Sequence, residues 1–356
     1  MRLLTFTALA VLLTLSACSS GQAAPTTSAV PATTPPTTAA ATTTTTPAPS
    51  TTTTSTTVAV NPPSPLNGLP ADDVANLERR VIAVKIDNHA NARPQSGIEK
   101  ADAVYELPVE ASLTRFIALF HDNDSTYLGP MRSGRPTDPT LLLSLGATFV
   151  ISGAQDWVQG VIRNYGVPFL GEIRPATFRV RGRFAPHNLY VDTTQLRVAA
   201  DGRGYSNDPP PLLFAWGAMA ADAQEATEIF FDWSSSTRVT WMWDEGRYVR
   251  WTGGVTHDWI SQDGETRQPI TADTLVVLFA RRYTASGSTG SSVPAMDTVG
   301  TGRALVFSGG LVAEGTWSRD GAGEVFTLTD AAGEALTVPV GVPWISIFPD
   351  NRQVSW

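Results

Sequence analysis

Five short polar clusters hold the side chains in this chain that are best suited to chemistry. Asp87-Asn88-His89 follows an apolar run. Glu106 ends Ala101–Glu106, and Glu110 precedes Thr114-Arg115-Phe116. Arg132 and Arg135 flank Gly134, and His187-Asn188 follows Pro186. Brought together, these would form a pocket of carboxylates, two imidazoles and several guanidiniums. Arg132 and Arg135, with Arg115 as a third, could clamp an anion through planar donor forks. In a hydrolase or transferase, Asp87 or Glu106 would be the general base and His89 or His187 the proton shuttle. Arg132 and Arg135 would then stabilise developing charge. The competing reading is structural: such arginines and carboxylates tie loops together, and histidines satisfy backbone carbonyls. Ser133 lacks a G-x-S-x-G context and is a poor nucleophile candidate. Asp87, His89 and His187 are ligand types, but no H-x-x-x-H or C-x-x-C spacing is present, so no metal site is expected. No cofactor is expected either.

Strand ends and turns must position these residues. Val81–Ile86 reads as a buried strand running into Asp87-Asn88-His89, and ligands in open α/β sheets favour the carboxyl ends of strands. Ala103–Val109, Leu113–Phe120 and Thr148–Ser152 read as further strands. Pro139–Leu145 and Gln155–Tyr165 read as helices, the second through Trp157, Val158, Val161 and Ile162. Asp192 is a plausible N-cap, with Gln195 three residues on. Strands alternating with helices predict a mixed α/β region over 66–213.

From about residue 214 the character changes. One helix is expected within Ala215–Phe231, with Asp222, Glu225 and Glu228 on its solvated face. Val239, Trp241 and Trp243, then Asp244-Glu245-Gly246, then Val249 and Trp251 read as a hairpin with its tryptophans in the core. Short strands with Gly- or Asp-rich turns follow. The region 214–356 is therefore expected to be a mostly antiparallel β domain, a small barrel or sandwich.

The N-terminus concerns location. Arg2, an apolar stretch too short to span a bilayer, and Leu15-Ser16-Ala17-Cys18 describe a secretory signal over 1–18 ending in a lipobox. Cys18 would carry the lipid, and palmitate would be one of its acyl chains. It is the only cysteine, so no internal disulfide can form. No charged residue lies between Arg2 and Asp72. Residues 19–65, rich in Thr, Pro and Ala, read as a disordered tether averaging about 40 Å end to end. The net charge of −8 argues against nucleic acid as a partner.

Taken together, Ile86-Asp87-Asn88-His89, Ala92–Gly97, Ala101–Glu106, Glu110 with Thr114-Arg115-Phe116, Gly129–Arg135 and Pro186–Tyr190 resemble the YerB-like lipoprotein family. Tyr248 with Arg250 and His257-Asp258 fit the family's C-terminal part. The resemblance implies a domain of unknown function with its own C-terminal partner domain, over residues 65–356. It brings no established activity. Relatives often have Gly-Gly before the Thr-Arg pair, where this chain has Ala111-Ser112-Leu113.

The resulting expectation is a lipoprotein held through Cys18 to the outer face of the cytoplasmic membrane, in the cell envelope. It would bind an anionic envelope ligand, such as a cell-wall polymer or phosphate group, or a protein partner. With no complete catalytic motif, binding is favoured over catalysis. The alternative is an envelope hydrolase or transferase acting on glycan or lipid-linked phosphate.

Overall fold

In this computed structural model, residues 60–356 are described. Cys18, the expected signal sequence and nearly all of the Thr/Pro/Ala tract lie outside the described residues. The apolar run before Asp87 forms β1 (Ile82–Ile86), and β2 (Ala103–Pro108) and β3 (Thr114–Phe120) follow; every residue in all three is buried. Strands covered on both faces read as continuous apolar runs rather than alternating ones. β3 pairs antiparallel with both β1 and β2. β1 pairs parallel with β4 (Thr148–Val150), and β4 with β5 (Phe169–Leu170).

Helices α1 (Asp138–Leu142) and α2 (Asp156–Asn164) lie on one face, α2 burying Val158 and Ile162. A two-stranded hairpin, β6 (Thr177–Arg179) with β7 (Leu189–Val191), leads into α3 (Thr193–Asp201). The Asp192 carboxylate caps α3, accepting from the Thr194 and Gln195 N–H groups.

The later strands are β8 (Glu228–Asp232), β9 (Arg238–Asp244), β10 (Arg247–Thr252), β11 (Thr274–Ala280), β12 (Gly300–Ser308), β13 (Leu311–Arg319), β14 (Thr327–Thr329) and β15 (Pro343–Pro349). The central sheet runs β14-β13-β12-β11-β15-β2-β3-β1-β4-β5, with Gln224–Glu225 pairing off β13. β15 lies between β2 and β11 and is parallel to both. The last long strand of the chain thus joins early and late segments in one sheet. β8, β9 and β10 build a second, antiparallel sheet.

This second sheet packs on the central one through Phe231, Trp233 and Trp241 against Trp344 and Phe348. The opposite face of the central sheet buries Tyr105, Ile117 and Leu119 against α1 and α2. The architecture is a mixed α/β N-terminal region followed by a mostly antiparallel β region. Its two sheets face each other as in a sandwich, and the described residues form no closed barrel.

Two expectations need correction. No helix forms within Ala215–Phe231; Gln224–Glu225 and β8 are strands. In β8 the period is two, with Ile229 and Phe231 buried and Glu228 and Phe230 exposed. The helical spacing of Asp222, Glu225 and Glu228 is coincidental. The β9–β10 hairpin forms as expected around Glu245 and Gly246, both at positive φ (45° and 89°), the turn that matches strand twist. Its second strand, however, turns the other face inward. Trp241 pairs across to Arg250 and Trp243 to Tyr248, so Tyr248 and Arg250 are fully buried while Val249 and Trp251 are half-buried.

The β2–β3 turn places both Ala111 and Ser112 at φ 58°, where Cβ crowds the following carbonyl at a cost of about 1–2 kcal/mol per residue. Glycine removes that clash but loses more chain entropy on folding. The expected net effect of Ala111→Gly or Ser112→Gly is a gain of roughly 0.5–1 kcal/mol. It would be read as a higher urea midpoint at unchanged m-value; a lower midpoint would contradict it.

Candidate functional site

Asp87 is the first residue beyond β1, and its N–H donates to the Pro130 carbonyl at 2.9 Å. The segment carrying Arg132 runs alongside, pairing Met131 with Ile86 and donating Arg132 N to the Lys85 carbonyl. Gly129 is required there, because a Cβ would meet the Tyr190 ring at 2.8 Å. The loop between β6 and β7 brings His187 to the same place.

At the centre, Asp87 Oδ2 accepts from His187 Nδ1 at 2.7 Å and faces Arg132 Nε at 3.0 Å. The arginine contact is an ion pair without hydrogen-bond alignment, so Arg132 Nε is buried without a hydrogen-bond partner. Arg132 Nη1 and Nη2 donate no hydrogen bond among the described residues, and the side chain is 23% exposed. Asp87 Oδ1 accepts from the His89 N–H. The His89 ring stacks on His187 with centroids 4.9 Å apart. His89 Nδ1 accepts from the Asn91 N–H at 3.1 Å, which leaves Nε2 as the outward donor when the ring is neutral. The carboxylate is thus consumed internally, while Arg132 and His89 turn unused donors outward.

Glu106 stands apart from this cluster. Its side chain is 1% exposed, and Arg250 grips it with two 2.8 Å hydrogen bonds. Trp344 Nε1 and the Thr114 hydroxyl donate to the same carboxylate at 2.8 and 2.7 Å. Two arms link the pair to the Asp87 loop. Asn88 donates to the Thr114 hydroxyl and accepts from Arg93 Nε. Arg250 Nε donates to His257 Nδ1, His257 Nε2 donates to Gln95, and Gln95 Nε2 donates to the Asp87 carbonyl. Burial, then the charges of Arg250 and Arg93, push the His257 ring well below its usual pKa, so it is neutral. Burial and neighbouring Arg250 lower Arg93 to about 10.

Arg115 and Arg135 are committed to Glu110. Arg135 Nε donates to Glu110 Oε2 at 2.7 Å, its Nη2 contacts Oε1 more closely still, and Arg115 reaches Oε1 at 3.4 Å. Burial alone would raise the Glu110 carboxyl, but bonding to Arg135 and the charges of both arginines hold it at about 2. Burial and the charge of Arg135 bring Arg115 down to about 10. Asn188 braces its own hairpin, accepting from Arg179 at 2.9 Å. The Ser133 hydroxyl lies 3.4 Å from that of Ser152. Among the described residues no three or more His, Cys, Asp or Glu side chains are grouped to hold a metal ion.

Of the residues singled out in the sequence, the structure brings together Asp87, His89, Arg132 and His187, with Asn88 beneath them. Glu106 is enclosed, Glu110 with Arg115 and Arg135 forms a separate ion-pair group, and Asn188 serves the hairpin. Sequence reasoning missed Arg93, Gln95, Arg250, His257 and Trp344 as parts of the supporting network. Arg250, set between Val249 and Trp251 within a strand, is the available signal.

Comparison with known proteins places this geometry in a family. Residues 66–206 match the model described as "Protein of unknown function (DUF3048) N-terminal domain", and residues 228–345 match its C-terminal domain. The chain is 30% identical over 305 residues to a Bacillus subtilis (strain 168) protein named "Putative lipoprotein YerB", covering 82% of this chain and 88% of that one. The crystal structure of the YerB protein from Bacillus subtilis superposes with a TM-score of 0.71 at 25% identity, over 83% of this chain and 99% of that one. These matches bear out the resemblance read from the motifs.

Two predictions follow from the buried network. Removing one partner of a buried ion pair leaves an uncompensated charge and costs about 3–5 kcal/mol. Arg250→Met is therefore expected to be destabilised on that scale in urea, with Glu106→Gln added to it recovering part of the loss; a single variant within 1 kcal/mol of the parent would contradict this. The second concerns His257, whose depressed folded pKa means its contribution is present above the unfolded value of about 6.5 and is lost as pH falls below it. His257→Gln should lower the slope of stability against pH below 6.5 by up to about 1.4 kcal/mol per unit. Parallel pH profiles for parent and variant would refute the assignment.

Proposed function

The chain belongs to the DUF3048 family, and on that premise we propose that it is a lipid-anchored protein of the cell envelope that binds an anionic group at the Asp87–His187–Arg132 cluster. The anchor would be Cys18, at the outer face of the cytoplasmic membrane. The Leu15-Ser16-Ala17-Cys18 sequence and the lipoprotein name of the Bacillus relative support this. The ligand would be a phosphate or carboxylate group of a cell-wall polymer, or a protein presenting one.

Arg132 is the observation that carries the binding reading. Its guanidinium is half-buried, fixed by one ion pair, and has Nη donors with no acceptor among the described residues. Charge-assisted donors held in place by the protein bind anions about twice as strongly as neutral ones. Asp87 does not oppose the ligand, since it is buried and both its oxygens are engaged.

A second reading, hydrolysis or transfer, draws on the 2.7 Å Asp87–His187 contact. Nδ1 donating to a carboxylate leaves Nε2 outward as a base, the orientation general-base catalysis requires. A substrate hydroxyl or water would have to be the nucleophile.

The test is thermal unfolding of the full chain with inorganic phosphate and with N-acetylmuramic acid. A ligand at 100 times its Kd should add about 2.7 kcal/mol. The shift is expected to vanish in Arg132→Ala and His187→Asn; their ligand-free midpoints should fall, because each change takes one partner from the buried Asp87 carboxylate, but by less than in Arg250→Met. Shifts unchanged in both variants, or no shift with either anion, would sink the binding reading. Turnover lost in His187→Asn with binding retained would favour catalysis.

A further inference from the structure

Residues 173–191 carry four arginines and His187 but no Asp or Glu, in a chain whose net charge is −8. They span the β6–β7 hairpin and its approach. The Val180 N–H bonds the Asn188 carbonyl and closes the loop, so Arg181 and His187 each sit one residue beyond that closing bond. Arg183 donates to the Ala92 and Pro94 carbonyls and so stitches the loop onto the segment that carries Arg93. Arg179 is held by Glu172 and Asn188. Arg174 and Arg181 are exposed and make neither hydrogen bond nor ion pair among the described residues.

We infer that this hairpin is a second set of anion contacts beside the Asp87 cluster, and that the ligand is therefore a soluble chain of repeated phosphate groups rather than a single anion. The inference rests on the anion-binding reading above and deepens it. Arg174 precedes β6 and Arg181 follows it, so the two free guanidiniums flank a three-residue strand about 10 Å long, room for each to meet a different phosphate. Two unpartnered guanidiniums beside a preorganised cluster act as linked sites, so a second contact forms at high effective concentration.

The same phosphate chemistry is found on an anionic membrane, and Phe184, 88% exposed at the loop, would suit a lipid interface. Depth decides against it. Arg132 and His187 are largely covered and Asp87 is buried, so a linear chain can reach the cluster while a flat bilayer cannot.

The experiment is calorimetric titration of the full chain with inorganic phosphate, long-chain polyphosphate and phosphatidylglycerol vesicles, at matched ionic strength. Polyphosphate is expected to bind about 10-fold or more tighter per phosphate group than inorganic phosphate. The double variant Arg174→Ala/Arg181→Ala should lose about that factor for polyphosphate and leave inorganic phosphate unchanged. Both side chains are exposed and unpartnered, so its unfolding midpoint should match the parent's. Equal polyphosphate affinity in parent and double variant overturns the hairpin site and leaves the cluster standing. Phosphate affinity unchanged in Arg132→Ala/His187→Asn overturns the cluster instead. Vesicle binding as tight as polyphosphate binding, and lost in Phe184→Ser, overturns the polymer in favour of a membrane surface.

Discussion

The carboxylate of Glu106 sits where the two sheets meet and receives four hydrogen bonds. Arg250 comes from the second sheet, while Thr114 and Trp344 come from the central one. Taking two charges out of water costs several kcal/mol per ion, recovered only when geometry and hydrogen bonding are complete. Here both oxygens are saturated, and the guanidinium is also within 5.0–5.3 Å of the Phe116, Trp241 and Trp344 ring centres. Apolar sheet faces alone would tolerate sliding. A saturated ion pair does not, so it fixes how β10 sits over β2, β3 and β15.

The surface cluster inherits this rigidity. Through Thr114 and Asn88 on one arm, and His257 and Gln95 on the other, the loop after β1 is tied back to the pair. A loop would otherwise leave Asp87 and His89 mobile. Fixing the Asp87 carbonyl and the Asn88 side chain positions the carboxylate that orients His187 and holds Arg132. Supporting partners of this kind set the precision of a site as much as the residues that touch ligand.

The sequence made most of the elements legible where burial produces a plain pattern. Continuous apolar runs marked β1, β2 and β3, the Val158 and Ile162 spacing marked α2, and Asp192 marked the start of α3. The late segments were harder. Residues 215–231 hold acidic residues at helical spacing, yet the Ile229–Phe231 alternation prevailed because β8 had a sheet to join. In the second strand of the β9–β10 hairpin, hydropathy ranks Trp251 above Arg250 and so points to the face that the structure leaves half-buried. Only the presence of Glu106, 144 positions away in sequence, makes the arginine the inward residue. Local patterns carry no information about such a partner. For the same reason the sequence could name Asp87, His89, Arg132 and His187 but could not separate them from Glu106 and Glu110.

Among the arginines, the distinction that matters is between guanidiniums already neutralised and those still free. Arg115 and Arg135 are held by Glu110, and Arg250 by Glu106, so none of them has charge to spare for a ligand. Arg132 shares its carboxylate with His187 and keeps its Nη donors free. This last arrangement leaves guanidinium donors free beside a buried carboxylate, and the hairpin adds Arg174 and Arg181, which make neither hydrogen bond nor ion pair among the described residues. In a field of fixed negative charge, a body with a net charge of −8 is repelled as a whole, and its unneutralised guanidiniums are the points of attraction.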